Sequence, residues 1–216
     1  MQDARPLPAY LLARYNGWKA TRYAADQSWF HQLARDGQHP RVMVISCCDS
    51  RVHVTSIFEA DPGEFFIHRN IANLVPPYSP DGAERGTAAA IEYAVTALHV
   101  AHLLIVGHSN CGGVKATLDI CAGDKPELSE PLSFVGQWLG PLRAHADRII
   151  ETTAPEDRQC AMERQTVVAS LENLMTYPFV QKAVAAGDLT LHGLRVDIGS
   201  GLLEVYDPEH AGFRPV

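Results

Sequence analysis

Two short stretches of the sequence combine residue types that can bind a metal or transfer protons. The first, CCDSR (47–51), follows an apolar run that predicts a buried β-strand, and the second, GHSNCGG (107–113), overlaps the end of another such run. Side chains alternate along a strand, so Cys47 and Asp49 should lie on one side and Cys48 on the other. Sites in open α/β sheets form at the carboxyl ends of strands, which is where both stretches lie.

The second stretch allows three interpretations. A phosphate-binding loop needs Lys and then Ser or Thr after its last glycine, and Gly113 and Val114 stand there instead, so we reject it. A nucleophile elbow, Gly-x-Ser-x-Gly, fits around Ser109 except that Cys111 replaces the second glycine. A catalytic triad for Ser109 would draw on later residues, namely Asp188, Asp197, His192 and His210. This hydrolase interpretation leaves CCDSR without a role.

The third interpretation is a metal site. His108 and Cys111 are three residues apart at a strand-to-helix turn, and Zn²⁺ binds thiolate and imidazole readily. Cys47, at the end of another strand, would be the third donor. Three protein ligands with one open position is the arrangement of catalytic zinc. The other cysteines are interpreted as small buried apolar side chains: Cys48, Cys121 and Cys160.

Composition narrows the class of protein. The 216 residues fit one domain, 46% of them are hydrophobic and 20% are charged. A net charge of −7 argues against nucleic acid or an anionic membrane surface as partner. No apolar run reaches the roughly 18 residues that a membrane span needs, and no secretory signal is visible. An odd number of cysteines predicts metal binding, redox use or packing in a cytoplasmic protein rather than a disulfide scaffold.

Hydrophobic periodicity predicts alternating strands and helices. Strands are expected at 41–48, 64–69 and 102–108, and a hairpin at 189–198 and 202–207. Helices are expected at 8–34, 86–100, 112–121, 133–151, 156–175 and from Tyr177, with a loop at 121–131.

This order of elements predicts an α/β fold. We expect a mainly parallel β-sheet with an antiparallel edge strand, flanked by helices. Residues 1–36 should form an N-terminal helical arm that contacts a neighbouring subunit, because they carry more aromatic residues than one amphipathic face needs. Residues 37–216 should form a single α/β zinc-binding domain.

The two motifs together resemble the β-class carbonic anhydrases, whose pattern is Cys-x-Asp-Ser-Arg followed by His-x-x-Cys-Gly-Gly. The resemblance continues through PGEFFIHRNIANLVPPY (62–78), AAIEYAV (89–95) and MTYPFV (175–180). It covers most of the chain from Gln38 onward, and its details look most like the plant-type branch of that class.

The resemblance implies one Zn²⁺ per chain, held by Cys47, His108 and Cys111 with water or hydroxide in the fourth position. Zinc lowers the pKa of such a water towards roughly 7. By the same resemblance, Asp49 orients the hydroxide and Arg51 holds Asp49 away from the metal.

The resemblance also implies a set of residues that bind the substrate. Gln38 is similar to a glutamine that the plant-type branch supplies across a dimer interface, and the backbone N–H of Gly112 is similar to an oxygen-binding amide. An apolar pocket that suits CO₂ is implied at Phe66, Ile71 and Tyr93. Arg69 and Asn70, in the same motif region, are interpreted as structural.

We therefore expect a lyase that hydrates CO₂ reversibly to bicarbonate and a proton, in a cytoplasmic homodimer or larger homo-oligomer. A serine hydrolase using Ser109 and a non-catalytic zinc or thiol-redox protein are the alternatives. Some relatives close at low pH around a bicarbonate pocket that contains a tryptophan. Val44 stands at that tryptophan's position, so the resemblance implies a constitutively open site with Asp49 paired to Arg51.

Overall fold

Strand β1 (Val42–Cys47) runs beside the centre of a six-stranded sheet with the order β2-β1-β3-β4-β5-β6. The computed structural model describes residues 4–82 and 85–216. The other strands are β2 (Phe65–Asn70), β3 (His102–His108), β4 (Thr190–Val196), β5 (Leu203–Asp207) and β6 (Gly212–Pro215). Strands β1 to β4 are parallel, and β5 and β6 are antiparallel to their neighbours.

The sheet confirms the predicted class, with one difference at its edge. The predicted hairpin forms, but its second strand is followed by β6, so the edge carries two antiparallel strands instead of one. Strand β6 has four residues and ends in Pro215, and a run that short gives no alternation pattern to detect.

The part of the chain from Pro40 onward forms one compact unit that contains the sheet. Its helices are α3 (Val54–Ile57), α4 (Arg85–Glu92), α5 (Gly112–Ala122), α6 (Phe134–Trp138), α7 (Arg143–Thr152), α8 (Arg158–Leu174) and α9 (Pro178–Ala186). The helix expected at 133–151 is broken into α6 and α7 by a 3₁₀ turn at Gly140–Leu142. Pro141 explains the break, because proline supplies no backbone N–H and its ring clashes with the preceding turn of an α-helix.

Alternation along the central strands separates two apolar clusters. Met43 and Ile45 of β1 and Leu103 and Ile105 of β3 lie in a cluster that includes residues of α8 and α9. Val44 lies in the opposite cluster and is fully buried. Both central strands are therefore covered on both faces, as parallel strands in α/β proteins are.

The chain up to His39 forms a separate unit of two helices, α1 (Ala9–Trp18) and α2 (Gln27–Asp36). A π-helical turn at Lys19–Tyr23 follows α1, and the single helix expected at 8–34 is interrupted near Asp26. Neither helix has a buried residue, although the aromatic rings of Trp18, Tyr23 and Phe30 contact one another. Within the described ranges, no helix is both long enough and apolar enough to cross a membrane.

Candidate metal centre

Parallel pairing of β1 and β3 brings two cysteines and a histidine together at one end of the sheet. Ser46 pairs with Val106, so the ends of the two strands, Cys47 and His108, are close in space. Asn110 has a φ of +55°, a left-handed turn after which Cys111 caps the N-terminus of α5. The two Sγ atoms of Cys47 and Cys111 are 3.9 Å apart, and the possible ligand atoms of the three residues lie within 4.8 Å of one another.

The hydrogen bonds of His108 show that this cluster suits a metal ion. Its Nδ1 lies 2.9 Å from the carbonyl oxygen of Ser109, which can only accept, so Nδ1 carries the hydrogen. Nε2 then presents a lone pair, and this buried atom has no hydrogen-bond partner among residues 4–82 and 85–216. An orphaned imidazole nitrogen facing two thiols is a donor set that Zn²⁺ prefers, and the bond to Ser109 fixes the tautomer that a metal needs.

The thiols of the cluster do not titrate alike. The hydrogen bond from Cys111 is the main cause that lowers the pKa of Cys47 to about 4, against the effect of burial; His108 and the backbone N–H groups of Asp49 and Ala72 lower it further. The same interaction with Cys47, together with burial, raises the pKa of Cys111 far above its ordinary value. Burial has the largest single effect and lowers the pKa of His108, but the Cys47 thiolate, the Ser109 carbonyl and the Asp49 carboxylate together raise it, so the net shift is upward.

A carboxylate is held beside the cluster by an arginine. Arg51 donates from Nε to Asp49 Oδ1 at 2.9 Å and from Nη2 to Asp49 Oδ2 at 2.7 Å, and its backbone N–H donates to Oδ1 at 3.0 Å. Oδ2 of Asp49 is 4.0 Å from Nε2 of His108. These bonds from Arg51 hold the pKa of Asp49 well below its usual range, so the group is a carboxylate at neutral pH.

Arg51 also ties the two motifs together, because its Nη2 donates to the carbonyl oxygen of Asn110 at 3.0 Å. The pairing of Asp49 with Arg51 that the sequence predicts is therefore present. The catalytic roles of the two residues stay predictions.

Arg69 and Asn70 have the structural roles that the sequence predicts. Arg69 donates to the carbonyl oxygens of Cys47, Asp49 and Val52, at 3.0, 2.8 and 2.8 Å, and so fixes the backbone of the first motif. The side chain of Asn70 bonds both the N–H and the C=O of Leu74, at 2.9 and 2.8 Å.

The residues predicted to bind substrate are only partly brought together. The rings of Phe66 and Tyr93 contact each other with centroids 5.8 Å apart, and Ile71 lies at the start of a 3₁₀ turn, partly exposed. Gly112, the first residue of α5, is exposed. Gln38 is exposed and belongs to the N-terminal unit. Their roles in binding stay predictions.

The hydrolase alternative lacks a base for its nucleophile. The Ser109 hydroxyl is buried, accepts the N–H of Ile198 at 2.8 Å and bonds Asp197. Both histidines suggested for the triad are engaged elsewhere: His192 with His102 at 3.2 Å and His210 with Asp207 at 3.0 Å. Among the hydrogen bonds of the described residues, none joins the Ser109 hydroxyl to a histidine.

The prediction that Cys48, Cys121 and Cys160 are buried was wrong, and one supporting residue was missed. Cys48 is exposed because it lies just beyond the last residue of β1, while Cys121 and Cys160 are half-buried rather than buried. Glu163 was missed: it is buried on α8 and accepts the backbone N–H of Cys111. The available signal was a glutamate on the apolar face of the helix predicted at 156–175.

Comparison with known proteins identifies relatives of this chain. Residues 42–203 match the family model described as carbonic anhydrase. Beta carbonic anhydrase 3 of Arabidopsis thaliana is 33% identical over 88% of this chain and 73% of its own length. Chloroplastic beta carbonic anhydrase 5 of the same plant is 36% identical over 83% of this chain, which spans only 58% of that relative's length.

Solved structures show the same likeness. The β-carbonic anhydrase CcaA superposes with a TM-score of 0.87 at 31% identity, over 96% of this chain and 91% of that one. A structure from a study of two tetrameric β-carbonic anhydrases of Sordaria macrospora has a TM-score of 0.77 at 34% identity, over 91% of this chain and 94% of that one.

Proposed function

This chain belongs to the carbonic anhydrase family, and we propose from that membership that it catalyses the reversible hydration of CO₂ to bicarbonate and a proton. The observation that carries the proposal is the convergence of Cys47, His108 and Cys111 beside a carboxylate that Arg51 holds in place. Structural packing alone would not leave a buried imidazole nitrogen without a partner next to two thiols.

Cys47, His108 Nε2 and Cys111 are the residues that would hold one Zn²⁺ per chain. When bound, the metal supplies a Lewis acid that makes hydroxide available from water near neutral pH. The bond from His108 Nδ1 to the Ser109 carbonyl keeps the ring in the ligand tautomer throughout.

Asp49 and Arg51 then control the direction of attack. As a carboxylate, Asp49 can accept the hydrogen of a hydroxyl that reacts beside His108, so that an oxygen lone pair points at the carbon of CO₂. Arg51 fixes both oxygens of Asp49 and so keeps this acceptor in one orientation.

The substrate is a small apolar molecule, and we assign its binding to Phe66, Ile71 and Tyr93. Their side chains would supply apolar contacts to the carbon atom that is attacked. The backbone N–H of Gly112, in the first turn of α5, would donate to a substrate oxygen, because the first N–H groups of a helix have no partner within it.

The site is proposed to work within a homodimer or larger homo-oligomer, with Gln38 from a partner copy orienting the substrate. Tyr10, Leu12 and Tyr15 of α1 are 63%, 49% and 51% exposed, which favours burial of this surface against a second copy. Sedimentation velocity on the dilute protein tests this, and an active monomer would contradict it.

Two finer assignments are part of the proposal. All five cysteines are free, which fits a reducing compartment, so we propose a cytoplasmic location that cell fractionation can test. We also place the chain in the plant-type branch, on the motifs at 62–78 and 175–180.

The decisive experiment measures zinc and CO₂ hydration on the same samples. Purified protein should hold one zinc per chain and hydrate CO₂ in a stopped-flow assay, and Cys47→Ser or His108→Ala should lose both properties, because two remaining ligands do not retain the metal. A fully active variant without zinc would overturn the proposal. Ester hydrolysis that survives complete removal of metal would support the serine hydrolase instead.

A further inference from the structure

A buried carboxylate that the proposed reaction does not use lies directly behind the zinc ligand Cys111. Glu163 of α8 is 2% exposed, and its Oε1 accepts the backbone N–H of Cys111 at 3.3 Å. Burying a carboxylate is costly unless it is paired and hydrogen-bonded, so a buried glutamate at this point needs an explanation.

Gln159, one helical turn before Glu163, bonds the backbone carbonyl group of the same residue, Cys111. Its Nε2 donates to the carbonyl oxygen of Cys111 at 3.2 Å and to Oε1 of Glu163 at 2.9 Å. The main chain of Cys111 is therefore held at both its N–H and its C=O by two side chains of α8. We call Gln159 and Glu163 the Cys111 clamp.

The charge of Glu163 is balanced inside the protein. Arg195 of β4 donates from Nε and Nη2 to Oε2 of Glu163, at 3.0 and 2.8 Å, and from Nη1 to Glu204 of β5 at 2.9 Å. Arg164 donates to the other oxygen of Glu204 at 2.6 Å. Two carboxylates and two guanidiniums give no net charge, so the group adds no uncompensated charge behind a site with two thiols.

Close packing of α8 against β3 sets the position of the clamp. A Cβ at Gly107, the residue before the ligand His108, would lie 2.7 Å from Cγ2 of Val167 on α8. Only glycine fits there, so α8, which carries the clamp, packs directly against the strand that carries His108.

We propose that Gln159 and Glu163 are positioning residues for Cys111, which hold its thiol towards Cys47 and His108 before metal arrives. This inference rests on the zinc site of the proposed function. It makes retention of the metal depend on two side chains that do not touch it, as the partners of metal ligands commonly do.

A matched pair of double variants isolates the hydrogen bond from the ion pair. E163Q/R195M and E163M/R195M both remove the Glu163–Arg195 charges, have similar side-chain volumes and leave Glu204 paired with Arg164. Only the first keeps an acceptor for the N–H of Cys111. Zinc transfer to a chromophoric chelator should be about 10–100-fold faster in E163M/R195M, whereas E163Q/R195M should stay within a few-fold of the wild-type rate.

Gln159→Ala is the milder variant, and Gln165→Ala is its control on the same helix. Gln165 bonds His145 at 3.2 Å instead of the ligand loop. Q159A should release zinc several-fold faster than Q165A, and the thiolate-to-cobalt absorption bands of the Co²⁺-substituted protein should shift in Q159A and not in Q165A. This comparison decides the question if E163M/R195M fails to fold.

The outcomes separate this inference from the proposed function. If the wild type holds zinc and hydrates CO₂, but all these variants release zinc at the wild-type rate with unchanged cobalt spectra, the clamp is wrong and the function stands. A wild-type chain that takes up no zinc would overturn the proposed function and this inference with it.

Discussion

Two cysteine thiolates and the carboxylate of Asp49 at one site would repel one another as anions, and the residues around them reduce this cost in different ways. Asp49 is compensated by Arg51, which binds both of its oxygens. Cys47 is compensated by the proton that Cys111 retains in the metal-free site. A divalent cation replaces that proton, so the cluster is electrostatically suited to a metal with two positive charges.

Replacing Asp49 separates metal binding from turnover. Asp49→Asn keeps the shape of the side chain but presents an N–H₂ in place of one acceptor oxygen and loses the charge paired with Arg51. Zinc should stay bound, while kcat for CO₂ hydration falls by about 10²–10⁴-fold, the contribution of a positioned acid–base group. Stopped-flow assays with parallel metal analysis test this, and unchanged turnover would refute the role of Asp49.

Replacing Ser109 tests the hydrolase alternative at the same scale. The Ser109 hydroxyl accepts the N–H of Ile198, so Ser109→Ala should cost about 1–3 kcal/mol of stability for that buried donor. CO₂ hydration should stay within a few-fold of wild type. A loss of more than about a thousandfold, the scale of a lost nucleophile, would revive the hydrolase.

At this scale the sequence predicts the convergence of the three candidate ligands well and the contacts that support them poorly. Spacing alone places Cys47, His108 and Cys111 at two strand ends, because the period of a strand and the edge of a parallel sheet are regular. The contact of Glu163 with Cys111 joins residues 52 apart in the chain, and no local pattern encodes such a pair.

At the scale of elements, the turn after β2 fits closely against the start of α5. Ala72 and Asn73 have φ values of +63° and +46°, which is unusual for residues other than glycine, and Trp138 Nε1 donates to the carbonyl oxygen of Ile71 at 2.9 Å. A Cβ at Gly113 would lie 2.7 Å from Cγ2 of Ile71 and 3.1 Å from Cβ of Ala72. The turn and the helix therefore have no room for a larger residue.

Two neighbouring glycines provide a test of this fit. Gly113→Ala should destabilise the protein by about 1–3 kcal/mol through overpacking. Gly112→Ala is the matched control, because a Cβ there meets nothing within 4 Å and the gain in helix propensity should be similar in both variants. Urea unfolding measures the difference, and equal stabilities would contradict the tight fit.

Strands and helices with a strong hydrophobic pattern are predicted well from the sequence, whereas the breaks within helices are not. The strands at 42–47 and 102–108 lie within a residue of their predicted bounds, since aliphatic runs covered on both faces are hard to mistake. Pro141 was the local signal for the break between α6 and α7. The π-helical turn at Tyr93–Ala97, inside the helix predicted at 86–100, has no corresponding signal in the sequence.

At the scale of the whole molecule, we expect the pH dependence of activity to come from one group, the water that the zinc would bind, and not from Asp49. Arg51 depresses the folded-state pKa of Asp49, so any stabilisation from their pair is present above the unfolded pKa of about 3.9 and is lost only as pH falls towards the folded value. Asp49 therefore does not titrate between pH 9 and pH 6. Val44 stands at the position where the closing relatives are expected to have a tryptophan. It is completely buried in the core, so this chain has no tryptophan at that point to form a bicarbonate pocket.

We accordingly expect the activity to fall with pH as a single titration, without cooperativity in protons. A profile of kcat/KM from pH 9 to pH 6 should fit one ionisation. A steep loss that needs several protons, or a crystal structure at the lower pH with Asp49 on the metal, would show that a closing transition exists.

The path of the chain through the sheet also has a consequence for biosynthesis. The ribosome makes β1 and β3, with all three zinc ligands, before α8 and β4 exist, and roughly 5–20 s of further synthesis separate Cys111 from Arg195 and Glu204. During that interval the nascent chain carries Cys47 and Cys111 without the side chains that hold the second of them. We expect such a chain to depend on the reducing milieu around the ribosome to protect its thiols, and to acquire zinc only after the C-terminal third has emerged.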